Sequence, residues 1–160
     1  MGRAFVFGDN IDTDVLAPGA LMKLPPAELA RHCLEAIDPQ FASAVQPGDF
    51  VVAGRNFGLG SSREQAAVSL KLLGVKAVLA PSFARIFFRN AVNIGLPAMI
   101  IETPQAIAAG DELDLDLESG LLTNKTLGDS LRLKPLPPDL MKIIAAGGLM
   151  PLLRQRFQTA

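Results

Sequence analysis

The stretch from Phe50 to Ile101 constrains the fold most, because its hydrophobic pattern switches repeatedly between strand and helix. Phe50-Val51-Val52-Ala53 is an unbroken apolar run that passes into a glycine-rich loop from Gly54 to Gly60. A helical pattern follows from Ser62 to about Leu73 and is stopped by Gly74. Val75 to Ala80 reads as a second strand, Ser82 to Val92 as a second helix and Pro97 to Ile101 as a third strand. The order β-α-β-α-β predicts an α/β fold with a parallel sheet and right-handed crossovers.

The flanks add to this core. Arg3 to Gly8 alternates like a strand and turns at Gly8-Asp9-Asn10, and Ile11 to Met22 reads as an ordered loop. Pro25-Pro26 opens a helix expected over Ala27 to Ile37, with Leu29, Leu34 and Ile37 on its inner side. Cys33 is expected to be buried packing there, beside a surface or half-buried His32. After the third strand, Glu112 to Leu117, Leu121 to Thr126 and Ser130 to Leu133 predict a small β-rich corner. Pro137-Pro138 starts a last helix that weakens at Ala145-Ala146-Gly147-Gly148 and resumes from Met150 to Phe157. With 160 residues, 49% of them hydrophobic, the chain suits a single domain over 1–160 with a C-terminal helical segment at 137–157.

Composition narrows the function. A formal net charge of -1 gives no electrostatic reason to expect nucleic acid or an anionic membrane surface. No apolar run approaches the roughly 20 residues needed to span a bilayer, and the N-terminal residues lack a signal-like apolar core, so a cytoplasmic location is expected. One Cys and one His cannot build a structural zinc site or hold an iron–sulfur cluster, so no metal is expected on this chain.

The loop Gly54-Arg55-Asn56-Phe57-Gly58-Leu59-Gly60-Ser61-Ser62-Arg63-Glu64 carries the strongest chemical signal. Gly58-Leu59-Gly60 starts like a dinucleotide fingerprint, but Arg63 fills its third glycine position and no acid closes the second strand. A Walker loop would need Lys after Gly60, where Ser61 stands. Two readings stay open. Ser61 to Glu64 fits a capping box. Alternatively, a helix start at Ser61-Ser62, with Arg63 and permissive Gly58 and Gly60, fits a carboxylate site that also eases formation of a serine alkoxide.

Two further clusters stand out. Asp9-Asn10-Ile11-Asp12-Thr13-Asp14 invites a calcium reading, yet Leu16 and Ala17 replace a ligand and the required glycine. It reads either as a solvated turn or as a source of one Asp folded inward against Arg63 or a serine. In Ser82-Phe83-Ala84-Arg85-Ile86-Phe87-Phe88-Arg89-Asn90, Phe83, Ile86 and Phe87 are expected in the core, with Arg85 and Arg89 on one face as surface charge or as contacts to a partner chain.

Gly8 to Asp14, Asn56 to Ala66 and Ser82 to Phe87 closely resemble the 3-isopropylmalate dehydratase small subunits, which are similar to the swivelling C-terminal domain of aconitase. The resemblance runs over roughly residues 1 to 155. It implies a swivelling β/β/α domain and a partner large subunit with a [4Fe-4S] cluster. It also implies loss and re-addition of water between 2- and 3-isopropylmalate, a small dicarboxylate substrate, in leucine biosynthesis. By that likeness Ser61 is the base that takes a proton from carbon, Ser62 and Arg63 contact substrate carboxylate, and Asp14 supports the serine–arginine pair.

The likeness has departures. Leu59 stands where relatives often have Cys. In the substrate-selecting loop Leu21 takes a usual Tyr position, Met22 a Leu position and Lys23 a variable position often held by Arg. Leu21 and Met22 suit an apolar branch, whereas Lys23 suits a further carboxylate. Dimethylmalate, methylmalate or homoaconitate are the alternative substrates. A stand-alone binding module without a partner chain is the alternative of another class.

Overall fold

The computed structural model describes residues 1–158. Strands β1 (Gly2–Val6), β2 (Phe50–Val52), β3 (Ala77–Ala80) and β4 (Ala98–Ile100) pair in parallel, and β5 (Glu112–Leu115), β6 (Leu121–Asn124) and β7 (Asp129–Arg132) pair antiparallel. All belong to one seven-stranded sheet of order β4-β3-β2-β1-β5-β6-β7. The expected β-rich corner is present as β5 to β7. It continues the sheet, because β1 pairs antiparallel with β5 through Gly2↔Leu113 and Arg3↔Glu112. The sheet curls, so that its outer strands share a cleft of about 670 Å³ lined by Ile100 to Thr103 and Leu131 to Pro135.

Alternation along the central strands divides the core in two. Val51, Val78 and Ala98 face the helices and pack with Ala66, Ala67, Leu70, Phe87 and Ala91. Phe50, Val52, Leu79 and Met99 face the inside of the curl and meet Leu113, Leu115 and Leu122. Both faces of β2 and β3 are covered, which is why their sequences are unbroken apolar runs.

The helices are α1 (Thr13–Leu16), α2 (Pro26–Ala30), α3 (Phe41–Ala44), α4 (Glu64–Leu72), α5 (Arg85–Asn93), α6 (Pro138–Ala145) and α7 (Leu149–Gln158). Phe41 on α3 is fully buried and meets the edges of Phe5 at 5.2 Å and Phe7 at 5.6 Å. Burying such a ring contributes roughly 1.5–3 kcal/mol. α6 and α7 pack on α5, with Gly147 and Gly148 breaking the helix between them.

The helix expected over 27–37 is cut short at Ala30. Leu34 takes φ 61°, and its amide donates to Val15 O at 3.0 Å, so a long-range contact interrupts the helical ladder. Leu29, Cys33 and Leu34 are buried as expected, but Ile37 is 51% exposed. Among the described residues, no helix is long and apolar enough to cross a membrane.

Candidate active site

The loops leaving the carboxyl ends of β1, β2 and β3 are laced together, at the end of a parallel sheet where ligands commonly bind. Gly54 N donates to Gly8 O at 3.0 Å, Asn10 N to Arg55 O at 2.8 Å, Gly58 N to Ile11 O at 2.7 Å and Thr13 N to Leu59 O at 2.9 Å. On the opposite flank Phe57 N donates to Ser82 O at 3.1 Å and Ala84 N to Phe57 O at 2.9 Å. Asp9 Oδ1 accepts from Arg55 N at 2.7 Å, and Ser82 Oγ accepts from Asn56 N at 2.9 Å.

Gly58 and Gly60 steer this loop into Ser61. They stand at φ 83° and 105°, where glycine is strongly favoured. A Cβ on Gly58 would lie 2.3 Å from Cγ of Phe87, whose ring packs against Phe57 with centroids 5.1 Å apart. Phe87 is buried and Phe83 half-buried, but Ile86 is 49% exposed, against expectation. Its position at the open start of α5, between exposed Arg85 and Arg89, turns it away from the Phe57 cluster.

Ser61 and Ser62 are exposed where the loop ends. The expected helix start there does not occur. α4 begins at Glu64, and its N-cap is Arg63, extended at φ -94° and ψ 107° with no side-chain cap. The capping box is absent, since Ser61 instead offers its carbonyl to Arg63 N at 2.8 Å. Glu64 stands in the first turn and offsets part of the positive helix end. The cation next to the serines in sequence is Arg63, which is itself paired with Asp14.

Arg63 is held from one side. Its Nη1 donates to Asp14 Oδ1 at 2.8 Å and to Ala17 O at 3.0 Å. Gly19 N donates to the same Asp14 oxygen at 2.8 Å. The Arg63 hydrogen bond, then the Gly19 amide, hold the Asp14 carboxyl below its usual range. Both bonds of Arg63 use Nη1, so Nη2 and Nε have no partner among the described residues and are free for a carboxylate. Asp14 does not fold inward: its side chain is 67% exposed, against 24% for Arg63.

The other aspartates of the segment serve the backbone. Asp12 caps α1 by accepting from Val15 N at 2.9 Å, and Asp9 holds Arg55 as above. Among the described residues no group of three or more His, Cys, Asp or Glu is placed to hold a metal ion. Leu21 and Met22 are half-buried against the helical-face core at the end of a 3-10 turn, Gly19–Leu21, and Lys23 is exposed. Ala17 and Gly19 were not legible as site residues, since both act through backbone atoms. The only sequence signal is the Pro18-Gly19 turn pair.

The aconitase C-terminal domain family matches residues 28–104, which include Ser61, Ser62 and Arg63. A 3-isopropylmalate dehydratase small subunit of Archaeoglobus fulgidus is 50% identical over 157 residues, covering 97% of this chain and 94% of its own. One from Moorella thermoacetica is 50% identical over 163 residues, covering 99% of this chain and 97% of its own. The chain belongs to the 3-isopropylmalate dehydratase small-subunit family. The crystal structure of a 3-isopropylmalate dehydratase from Methanocaldococcus jannaschii superposes with a TM-score of 0.94 at 43% identity, covering 99% of this chain and 95% of that one. A 2,3-dimethylmalate dehydratase small subunit of Eubacterium barkeri is 51% identical over 153 residues, covering 93% of each.

An iron–sulfur cluster does not fit this small subunit's own donor set. Cys33 is its single thiol, and it is fully buried, which pushes its pKa up, away from the thiolate a ligand needs.

Proposed function

We propose that this chain is the small subunit of a hydro-lyase that interconverts 2- and 3-isopropylmalate by dehydration and rehydration, acting with a large subunit that holds a [4Fe-4S] cluster. The observation that carries the reading is an exposed Ser61-Ser62 pair beside a guanidinium pinned through one nitrogen only. The whole chain, 1–160, acts as one swivel domain with residues 137–157 as its helical appendage. Support comes from the packing of α6 and α7 on α5.

In this reading Arg63 and Ser62 take a substrate carboxylate. Ser61, as the alkoxide, removes the proton from the carbon next to it. The C–H electron pair becomes the new double bond as the neighbouring carbon loses hydroxide, which the partner's cluster would accept as a Lewis acid. Hydroxide then adds to the carbon that lost the proton, and the proton held by Ser61 goes to the carbon that lost hydroxide, which gives the isomer and regenerates the alkoxide. A serine is a weak base in water, so the step needs a closed, water-poor interface in which the Arg63 charge is felt strongly. The exposure of the serines here supports an interface completed by a second chain. Gly58 and Gly60 set the loop path, and Leu21, Met22 and Lys23 face substrate choice.

The likeness to the Eubacterium barkeri protein favours one second reading, a dehydratase of dimethylmalate. Anaerobic reconstitution with the candidate large subunit, assayed on a panel of branched malates, separates the two. Ser61→Ala is expected to lower turnover by about 10²-fold or more, the usual scale for a proton-transfer group. Wild-type turnover in that variant would remove Ser61 from the role of base.

A further inference from the structure

The turn that leads into Leu21, Met22 and Lys23 begins at Gly19, and Gly19 meets the head of Arg63 across a gap slightly too narrow for a methyl group. A Cβ on Gly19 would lie 3.0 Å from Arg63 Nη2, 3.5 Å from Arg63 Cζ and 3.1 Å from Asp14 Oδ1. Gly19 does not sit in the left-handed region, so its backbone would accept any residue. The demand for glycine is steric and comes from two paired side chains, Arg63 and Asp14. The same residue donates its amide to Asp14 Oδ1 at 2.8 Å, the oxygen that Arg63 Nη1 also reaches at 2.8 Å. With Ala17 O at 3.0 Å from Nη1, the segment from Asp14 to Gly19 wraps the guanidinium without placing a side chain against Nη2.

We propose that Gly19 is a positioning residue, which sets the geometry between the carboxylate-binding side of Arg63 and the substrate-selecting turn. The proposal rests on the reading of Arg63 as a carboxylate contact. Nη2 is the amino nitrogen that the protein leaves untied, and it is also the atom a side chain at position 19 would push. Asp14 Oδ1 is shared between the turn and the guanidinium, so displacing one displaces the other. Small errors in such placement are costly for a bound reactant.

The test uses Gly19→Ala in the reconstituted two-subunit enzyme. KM for the preferred malate is expected to rise roughly five- to twenty-fold with kcat changed less than about two-fold, the pattern of lost substrate binding. In an Arg63→Lys background the same substitution is expected to change KM by less than about two-fold, since the slimmer side chain has no Nη2 to displace. In the isolated chain, a carbon NMR titration of Asp14 is expected to show its midpoint rising toward the ordinary aspartate value. An unchanged KM in Gly19→Ala, or the same KM increase in both backgrounds, overturns the proposal. An unmoved Asp14 midpoint overturns it as well. If the wild-type assembly turns over no malate, the functional reading falls instead, and the Asp14 titration alone decides whether Gly19 positions the guanidinium.

Discussion

Replacing Gly58 with Ala puts a methyl group where the candidate active-site loop lies directly against Phe87 of α5. Two costs add. At φ 83° a Cβ carries left-handed strain of roughly 1–2 kcal/mol. That Cβ would also stand 2.3 Å from Cγ and 2.4 Å from Cβ of Phe87, close to the ring's root, where rotation gives little relief. Overpacking of this kind costs about 1–3 kcal/mol. Gly128→Ala is the control, because Gly128 has φ 76° with nothing within 4 Å of the added atom. It bears the strain alone. The two variants should therefore differ by about 1–3 kcal/mol, or roughly 2–12 °C in melting temperature for a chain of this size. Thermal melts of the isolated chain followed by circular dichroism measure both. Equal melting temperatures for the two variants would show that Phe87 yields freely, and that Gly58 does not hold the loop ahead of Ser61.

Arg63→Lys should raise KM by about ten-fold or more with a folded chain, since an ammonium cannot make the two-point contact of a guanidinium; unchanged kinetics would count against the carboxylate role. Phe57→Ala should destabilise by about 3–5 kcal/mol in urea melts, because it removes a fully buried ring that meets both Phe83 and Phe87 edge-on. Asp111 accepts from Ala108 N at 2.9 Å and Asn124 Nδ2 at 2.8 Å, and those bonds hold its carboxyl below the usual range. Its contribution is thus present at neutral pH and is lost as pH falls below about 4. Asp111→Asn should be less stable than wild type at pH 7, with the gap narrowing in melts at about pH 3.

The parallel half of the fold was legible because each strand and helix there is signalled locally. Phe50 to Val52 and Ala77 to Ala80 are apolar runs, and Gly74 stops α4 with φ 87°. What escaped the sequence was set by contacts between distant residues. The amide of Leu34 goes to Val15 and cuts a helix that its own neighbours would have continued. The Asp14 and Ala17 partners of Arg63 lie 49 and 46 residues away, and they draw the chain into an extended turn that postpones α4 past both serines. The residues of the candidate site were nameable from Ser61-Ser62-Arg63 and Asp14, but the second hold on Arg63 is the carbonyl of Ala17, a main-chain atom that no residue type announces.

The place of β1 has a consequence for how the chain assembles. It joins the parallel and antiparallel halves, touching β2 on one side and β5 on the other. In the chain β1 comes well before its second neighbour, which begins only at Glu112. Until the two pair, the seam has one open border, and closure waits on long-range pairing, which is slow. Deleting Gly2 to Val6 would therefore split the sheet at its middle, whereas trimming an outer strand would only narrow it.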